Sequence, residues 1–499
     1  MIKRFKLDWY YYNIRFVKSI YHLICSENSC KYANNFIHKS GYVQIKIYRK
    51  KTLVNVPVEK MFAWHAREGA ILRLTPPWSP LKLISRTGTG IEKGVRVKFR
   101  MGLFKIPMTW EAEHIEYQEN IMFKDHQTKG PFAKWEHTHL FHAQGKARSV
   151  MEDQVAYKLP LGFLSLPFYG HAKKELARVF DYRHRVLKYD LEHRADKAGK
   201  QRILVSGASG SIGSILVPFL RTCGHEVIRL VRKSSNLAED ELSWDPYNNI
   251  LDMEKAGPID AVINLNGVDI SRGKWTLKKR QLIVDSRVKP TMLLVEKMKQ
   301  MAVPPSVFIS ASAIGLYGEG KDRVLTEKNP KGDSFISRVC DQWEKASFDA
   351  QKSGIRTIQL RIGVVLTPGG GALERMLLPF SLGLGTRLSR GNQYMSWISM
   401  DDALGGILHI LENQNVEGAI NLTAPNPVTN KVFTKTLGQV LSRPAFFVLP
   451  RWVAIGLWGD MGKETLLTSA RVIPEKLLES GFSFEHNKIE TALKDMLGR

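Results

Sequence analysis

Between residues 203 and 220 the chain places a short apolar run, Ile203-Leu204-Val205-Ser206, directly before Gly207-Ala208-Ser209-Gly210-Ser211-Ile212-Gly213 and a helix-forming stretch that ends at Leu220. The run reads as a buried strand. The GxxGxxG spacing reads as a tight turn whose missing side chains let a pyrophosphate reach free N–H groups at a helix N-terminus. A second strand, Glu226 to Val231, follows at the distance a strand-helix-strand unit requires. Gly207, Ser209, Gly210, Ser211, Ile212 and Gly213 are therefore the candidate phosphate-binding residues. Strands alternating with helices beyond them predict an α/β, doubly wound parallel sheet over residues 201–429.

The end of the second strand selects between dinucleotides. An acidic residue there would bind a ribose 2′-hydroxyl and repel a 2′-phosphate. This chain carries Val231-Arg232-Lys233 instead. Two cations favour NADP(H), because a guanidinium pairs a phosphate bidentately; an exposed Arg-Lys pair without a role is the alternative. The strand Ala261-Val262-Ile263-Asn264-Leu265-Asn266-Gly267 sets Asn266 and Gly267 where small polar residues flank a ribose. Val307 to Ser312 and Ile358 to Gly363 deliver further polar residues to the carboxyl edge of the sheet.

Upstream the period changes. Val43, Ile45 and Ile47 alternate, Pro57 opens a helix over Val58–Arg67, and strand-like segments follow at Val95–Met101, Met108–Ile115, Ile121–His126, Lys134–His142 and Ser149–Tyr157. Leu176, Val179, Phe180 and Leu187 then recur at helical spacing between His171 and Leu191. This order predicts an α+β domain over residues 42–191 in which a curved sheet grips a helix and leaves a cavity between them. His137 and His139 share one strand face and His142 takes the other. No Cys or acidic partner stands at a ligand spacing beside them, so they read as cavity-lining or surface histidines, and no metal site is expected. Residues 192–200 are charged, lack apolar periodicity and read as a linker, so the two halves are expected to fold separately.

The chain of 499 residues carries a formal charge of +25. No helix-turn-helix, zinc-finger or RNA-binding signature accompanies that charge, so nucleic acid is not an expected partner. Residues 1–41 form a basic, aromatic extension. The first 50 residues hold ten Lys/Arg against two acidic residues, and the extension reads either as a poorly ordered segment or as a membrane-surface helix. Arg15 and Lys18 interrupt the apolar stretch a secretory signal would need, and no apolar window is long enough to span a bilayer. Four cysteines without a CxxC pair suit a reducing compartment, and the expected location is cytoplasmic. Oligomeric state is not legible.

Two resemblances follow from these residues. Residues 42–190, with their strand-Pro-helix opening, the stretch Met151-Glu152-Asp153-Gln154-Val155-Ala156-Tyr157 and a closing helix bearing Phe180-Asp181-Tyr182-Arg183, resemble the START-like, polyketide-cyclase-like helix-grip superfamily. That implies an apolar small-molecule ligand. The remainder resembles the atypical, epimerase-like branch of the short-chain dehydrogenase/reductases, which have a Rossmann core. The resemblance rests on Lys274-Trp275-Thr276, Asp285-Ser286-Arg287, Ile309 to Gly318, Asp341-Gln342-Trp343-Glu344, Gly369-Gly370-Gly371-Ala372-Leu373, Trp397 to Asp402, Asn421 to Pro425 and Val472 to Leu478. It implies a small helical C-terminal domain over 430–499.

Typical members of the wider family use Ser, Tyr-x-x-x-Lys and often Asn, with Tyr as acid/base. Ser312 matches the Ser. Ile336 stands in place of Tyr, Cys340 in place of Lys, and Arg287 in place of Asn. Ser312 and Tyr317 are the candidate catalytic residues, with Cys340 the other candidate proton donor. Two readings stand: an NADP(H)-dependent epimerase-like oxidoreductase acting on a small-molecule substrate, and a non-catalytic NADP(H)-binding sensor or carrier.

Overall fold

The computed structural model describes residues 44–79, 81–88, 90–103, 106–194 and 199–499. The basic extension over 1–41 and the strand start at Val43 lie outside them.

In the N-terminal domain, alternation of apolar and polar residues produces an antiparallel sheet. Its strands are β1 (Lys46–Val54), β2 (Lys82–Arg86), β3 (Arg96–Leu103), β4 (Ile106–Gln118), β5 (Met122–Lys129), β6 (Lys134–Ala143) and β7 (Ser149–Lys158). They pair in the order β1-β7-β6-β5-β4-β3-β2. Along β6 the period-two rule is visible: Trp135, His137, His139 and Phe141 are buried, while His142 is exposed. Helix α1 (Val58–Ala66) and the single turn α2 (Ala70–Arg73) connect β1 to β2, and the 25-residue α3 (Tyr169–His193) closes the domain. Phe180, Val186 and Leu187 of α3 are buried against the sheet with Met61, Phe62, Met151 and Val155. This is the helix-grip layout. Strand β2 and α2 were not foreseen, because neither is long enough to show a period. Between sheet and helix lies a cavity of about 160 Å³.

The second half is a mostly parallel Rossmann-like sheet. Its strands are β8 (Arg202–Ser206), β9 (Glu226–Val231), β10 (Glu241–Asp245), β11 (Ile250–Leu251), β12 (Ala261–Asn264), β13 (Val307–Ala313), β14 (Arg356–Ile362) and β15 (Gly418–Leu422). Their order is β11-β10-β9-β8-β12-β13-β14-β15, parallel except for the short β11. The apolar runs are buried on both faces: Ile203, Leu204, Val205, Val262, Ile263, Phe308 and Ile309 are all fully covered. Helices α4 (Gly213–Thr222), α5 (Leu277–Gln300), α6 (Phe335–Gln351), α7 (Gly371–Ser381) and α8 (Met400–Glu412) cross between strands. Beyond residue 430 come α9 (Asn430–Val440), α10 (Arg451–Met461), α11 (Glu475–Glu479) and α12 (Ile489–Leu497). The C-terminal part is not purely helical. Phe447–Leu449 pairs with Thr386–Leu388, and Arg471–Val472 pairs with Val324–Leu325, which ties this segment into the Rossmann half.

The expected linker over 192–200 needs correcting at its start. Helix α3 runs to His193, the Glu192 carboxylate accepts from Asn55, and Arg194 is buried. The two halves meet through ion pairs. Arg73 on α2 donates to both oxygens of Asp190 on α3 (2.7 and 3.1 Å) and to Asp401 on α8 (2.6 Å). Arg194 donates to Asp190 and to the Asp401 carbonyl, and Arg185 pairs with Glu485 and Asp495. The backbone of Gly69 lies so close to that of Pro218 on α4 that a Cβ there would sit 1.9 Å from its carbonyl oxygen.

Candidate functional site

The glycine loop crosses the carboxyl edge of the sheet between β8 and α4. Gly207 has φ +74°, and a Cβ on it would meet the Leu265 carbonyl oxygen at 2.6 Å. A Cβ on Gly213 would lie 2.3 Å from the Gly207 carbonyl oxygen, and one on Gly210 3.2 Å from the same atom. Glycine is thus required by close approach at the first and third positions and less strictly at the second. Ser209, Gly210 and Ser211 are exposed and Ile212 half-buried at the start of α4, while the Gly210 N–H closes the turn onto the Gly207 carbonyl at 3.0 Å. A tight, glycine-bearing turn exposed at a helix N-terminus fits a dinucleotide pyrophosphate.

Arg232 and Lys233 follow β9 and are exposed, but they are not equivalent. Lys233 Nζ lies 2.5 Å from Glu241 Oε2 and donates to the Asn236 carbonyl at 2.9 Å. Arg232 has no ion pair or hydrogen bond to any of the described residues. Glu241 on the neighbouring β10 thus pairs the lysine, whereas the Arg232 guanidinium has no such partner among the described residues.

Asn266 also differs from expectation. Its side-chain nitrogen donates to Ser206 Oγ (2.6 Å) and Asn264 Oδ1 (2.7 Å), and Asn264 in turn donates to Thr291 and Ser310. The amide pins the ends of β8 and β12 under the loop. Gly267 stays exposed, lying over the Arg287 guanidinium. Across the cleft, Arg375 of α7 donates to Asp269 at 2.8 Å and joins the Gly-rich turn before α7 to the segment after β12.

Ser312 and Tyr317 are brought into one network, though a closed one. Ser312 Oγ donates to Glu344 Oε1 at 2.7 Å, and Arg361 forks onto the same carboxylate at 2.9 and 3.0 Å. The Tyr317 hydroxyl donates to Asn421 Oδ1 (2.7 Å) and accepts from Arg361 Nη1 (2.8 Å). Both residues are buried. Burial raises the Tyr317 phenol above its usual range, against the pull of Arg361. In this structure both hydroxyls donate to protein groups, because Glu344, Arg361 and Asn421 converge on them from α6, β14 and β15. In the sequence Glu344 and Asn421 stand out only as parts of motifs, and Arg361 only as one of the polar residues that Ile358 to Gly363 brings to the sheet edge; the signal for its role is a charged residue within a buried strand.

The replaced Tyr and Lys positions lie in an apolar cluster. Ile336 and Cys340 are buried with Leu316, Val339 and Met461. Burial, with the Glu344 charge adding to it, pushes the Cys340 thiol up to about 12, which keeps it a protonated thiol near neutral pH. Arg287 donates to the carbonyls of Ile283 and Val268 and lies over the Trp343 ring, 5.2 Å from its centroid.

In the N-terminal cavity the histidines do have acidic partners. Asp125 on β5 lies opposite His137, and Asp153 on β7 opposite His139. His137 Nε2 is 2.9 Å from Asp153 Oδ1, and His139 Nδ1 is 2.8 Å from the same oxygen at an oblique angle. His137 and His139 line the cavity as expected, and the acidic partners absent from their local spacing come from the neighbouring strands. Antiparallel register brings together residues 12 to 16 positions apart, a proximity no local spacing reveals.

The Rossmann half fits the model of the NAD dependent epimerase/dehydratase family over residues 203–423, and residues 449–496 fit a domain of unknown function named DUF1731. Epimerase family protein MT2273 of Mycobacterium tuberculosis (strain CDC 1551 / Oshkosh) is 41% identical over 291 residues, which is 58% of this chain and 96% of the relative. The chain belongs to the epimerase family. Two solved structures extend that placement. The human epimerase family protein SDR39U1, crystallised with NADPH, matches with a TM-score of 0.54 at 32% identity, over 59% of this chain and 99% of its own. A nucleoside-diphosphate sugar epimerase from Corynebacterium glutamicum matches with a TM-score of 0.75 at 28% identity and covers 90% of each chain. The last match exceeds what the epimerase half could supply, so the N-terminal sheet domain is part of the likeness. Among the described residues of this epimerase-family chain, no helix is long and apolar enough to cross a membrane.

Proposed function

We propose that this chain is an NADP(H)-dependent oxidoreductase of the epimerase type acting on a small-molecule substrate. The observation that carries the cofactor is Arg232, exposed beside the glycine loop and unpaired among the described residues while its neighbour Lys233 is neutralised. The NADPH held by the human relative supports the same reading. The glycine loop would hold the pyrophosphate and Arg232 the 2′-phosphate; the nicotinamide, when bound, supplies hydride transfer. The chain's own residues shape the cleft: Asn264 and Asn266 fix the loop floor, and the Arg375–Asp269 pair joins its two walls.

Fluorescence titration tests the cofactor. NADPH is expected to bind at least tenfold tighter than NADH, about 1.4 kcal/mol and within the reach of one charge-assisted phosphate pair. Arg232→Asp should narrow or reverse that preference. Equal affinities in the parent would refute the assignment.

A second reading, an NADP(H)-binding sensor or carrier, is favoured by one observation: the hydroxyls of Ser312 and Tyr317 are both committed inside the protein. NADPH oxidation measured over a panel of carbonyl compounds and nucleotide sugars separates the two, since a sensor binds the cofactor and turns over none of them. In either case the N-terminal cavity, lined by Trp110, Phe123 and Trp135 among others, is suited to an apolar ligand. The proposed location is cytoplasmic.

A further inference from the structure

We propose that Asp125, His137 and His139 form a binding site for one divalent transition-metal ion, facing the cavity of the N-terminal domain. The inference stands on that domain's geometry alone and is independent of the cofactor assignment. Asp125 Oδ2 lies 3.5 Å from His137 Nδ1 and 3.7 Å from His139 Nε2, and one ligand atom from each residue falls within 4.8 Å of the other two. Ligands bound tetrahedrally at about 2.0–2.2 Å stand roughly 3.4 Å apart, so the two Asp125–histidine separations are already close to that spacing, and the imidazoles would turn toward each other to complete the set. Two imidazoles and one carboxylate suit a borderline ion such as Zn²⁺ or Fe²⁺.

The other side of each imidazole supports this reading. Metal-ligating histidines commonly give their second nitrogen to a carboxylate, which fixes tautomer and ring orientation. Asp153 occupies that place for His137, whose Nε2 is hydrogen-bonded to Oδ1 at 2.9 Å; His139 Nδ1 lies 2.8 Å from the same oxygen but at an angle that makes no hydrogen bond. Asp153 is itself held by His184 Nε2 at 2.8 Å, and His184 Nδ1 is bonded to Thr52 Oγ1. The outer nitrogens thereby point to Asp153 and the inner ones to Asp125. Phe123 stacks on His139 with ring centroids 4.0 Å apart and holds it in place.

The inner side opens to a ligand. Asp125, His137 and His139 line the 160 Å³ cavity, whereas Asp153 lies behind them. His114 lines it too, and its buried Nδ1 has no hydrogen-bond partner among the described residues. Open coordination positions would face this space, where water or an oxygen of a bound molecule can enter. Arg86 and Arg183 also line the cavity, so an anionic group on such a molecule would be tolerated.

The test uses the full-length, untagged chain, stripped with a chelator. It is titrated with Zn²⁺ by calorimetry and with Co²⁺ by visible absorption. One ion per chain is expected, with X-ray absorption of the zinc form showing two imidazoles and otherwise oxygen. Asp125→Asn and His139→Gln should each weaken binding at least tenfold, and Asp153→Asn, acting through the rings, by 10–100-fold. His142→Gln should bind as the parent does, because that imidazole is exposed on the opposite face. Circular-dichroism melts report whether each variant is folded, and the absorption spectrum of the parent decides even where a variant is not. No saturable uptake of either ion, a coordination shell without imidazole, or binding lost in His142→Gln but kept in His139→Gln would each overturn the proposal; the first would leave a buried carboxylate–imidazolium cluster.

Discussion

Tyr317 shows how a side chain's partners decide its role. Its hydroxyl bridges Arg361 and Asn421 in a buried network, and Ser312 joins through Glu344. Tyr317→Phe leaves Asn421 Oδ1 without that donor and removes an acceptor from Arg361. Leaving a buried polar group unsatisfied costs about 1–3 kcal/mol. Urea unfolding should show that loss while NADPH affinity is unchanged. Undiminished stability together with a tenfold loss of turnover would instead show the hydroxyl working on a substrate. His486 carries a second residue-scale consequence. Burial alone would lower its pKa, but hydrogen bonds to Asp402 and Asp495 and the Glu485 charge raise it to about 10. The folded pKa lies above the unfolded value of about 6.5. Its stabilisation is therefore complete below pH ~6.5 and is lost as pH rises through about 10. Melting temperature followed across that window should fall, and His486→Gln should flatten the fall.

At the scale of elements, the strand-loop-helix unit from β8 to α4 joins local geometry to binding. The clash distances rank its glycines. Gly213→Ala would force a Cβ to within 2.3 Å of a backbone oxygen that belongs to the same loop, whereas at Gly210 the corresponding contact is 3.2 Å. Gly213→Ala is expected to reduce NADPH affinity by more than Gly210→Ala does, as read by fluorescence titration. The reverse order would mean that the loop rearranges on binding. Thr276, Ser334 and Ser399 each accept the backbone N–H three residues ahead, as the N-cap preference requires. The 25-residue α3 was read from four apolar residues at helical spacing. Strand β2 was not, since its five residues expose side chains on both faces.

For the whole molecule, the decisive contacts are those between the two halves. Arg73 is a buried guanidinium shared by Asp190 and Asp401, and those carboxylates hold its pKa above the ordinary value despite burial. Removing one member of a buried ion pair costs about 3–5 kcal/mol, because the partner charges stay buried. Arg73→Met leaves two carboxylates facing each other. It should cost about that much in thermal or urea unfolding, with the N-terminal domain unfolding separately from the rest. A shift near zero would show that the halves are energetically independent despite the contact. The mycobacterial relative, 96% of which is matched by only 58% of this chain, shows that the epimerase half occurs without the N-terminal domain.

Most of the elements and their order are legible in the sequence: period-two and period-3.6 patterns, the glycine loop, and the parallel sheet that alternating strands and helices require. Each of these is set within about 20 residues, where backbone sterics and side-chain periodicity act directly. What a given polar side chain faces was decided only by tertiary structure. Lys233 is paired with Glu241, Ser312 donates to Glu344 and His137 is hydrogen-bonded to Asp153, from positions 8 to 32 residues away in sequence. Arg73 finds Asp401 at a separation of 328. Such pairings depend on strand register and domain docking, and these are fixed by burial of the apolar faces rather than by the polar residues they bring together.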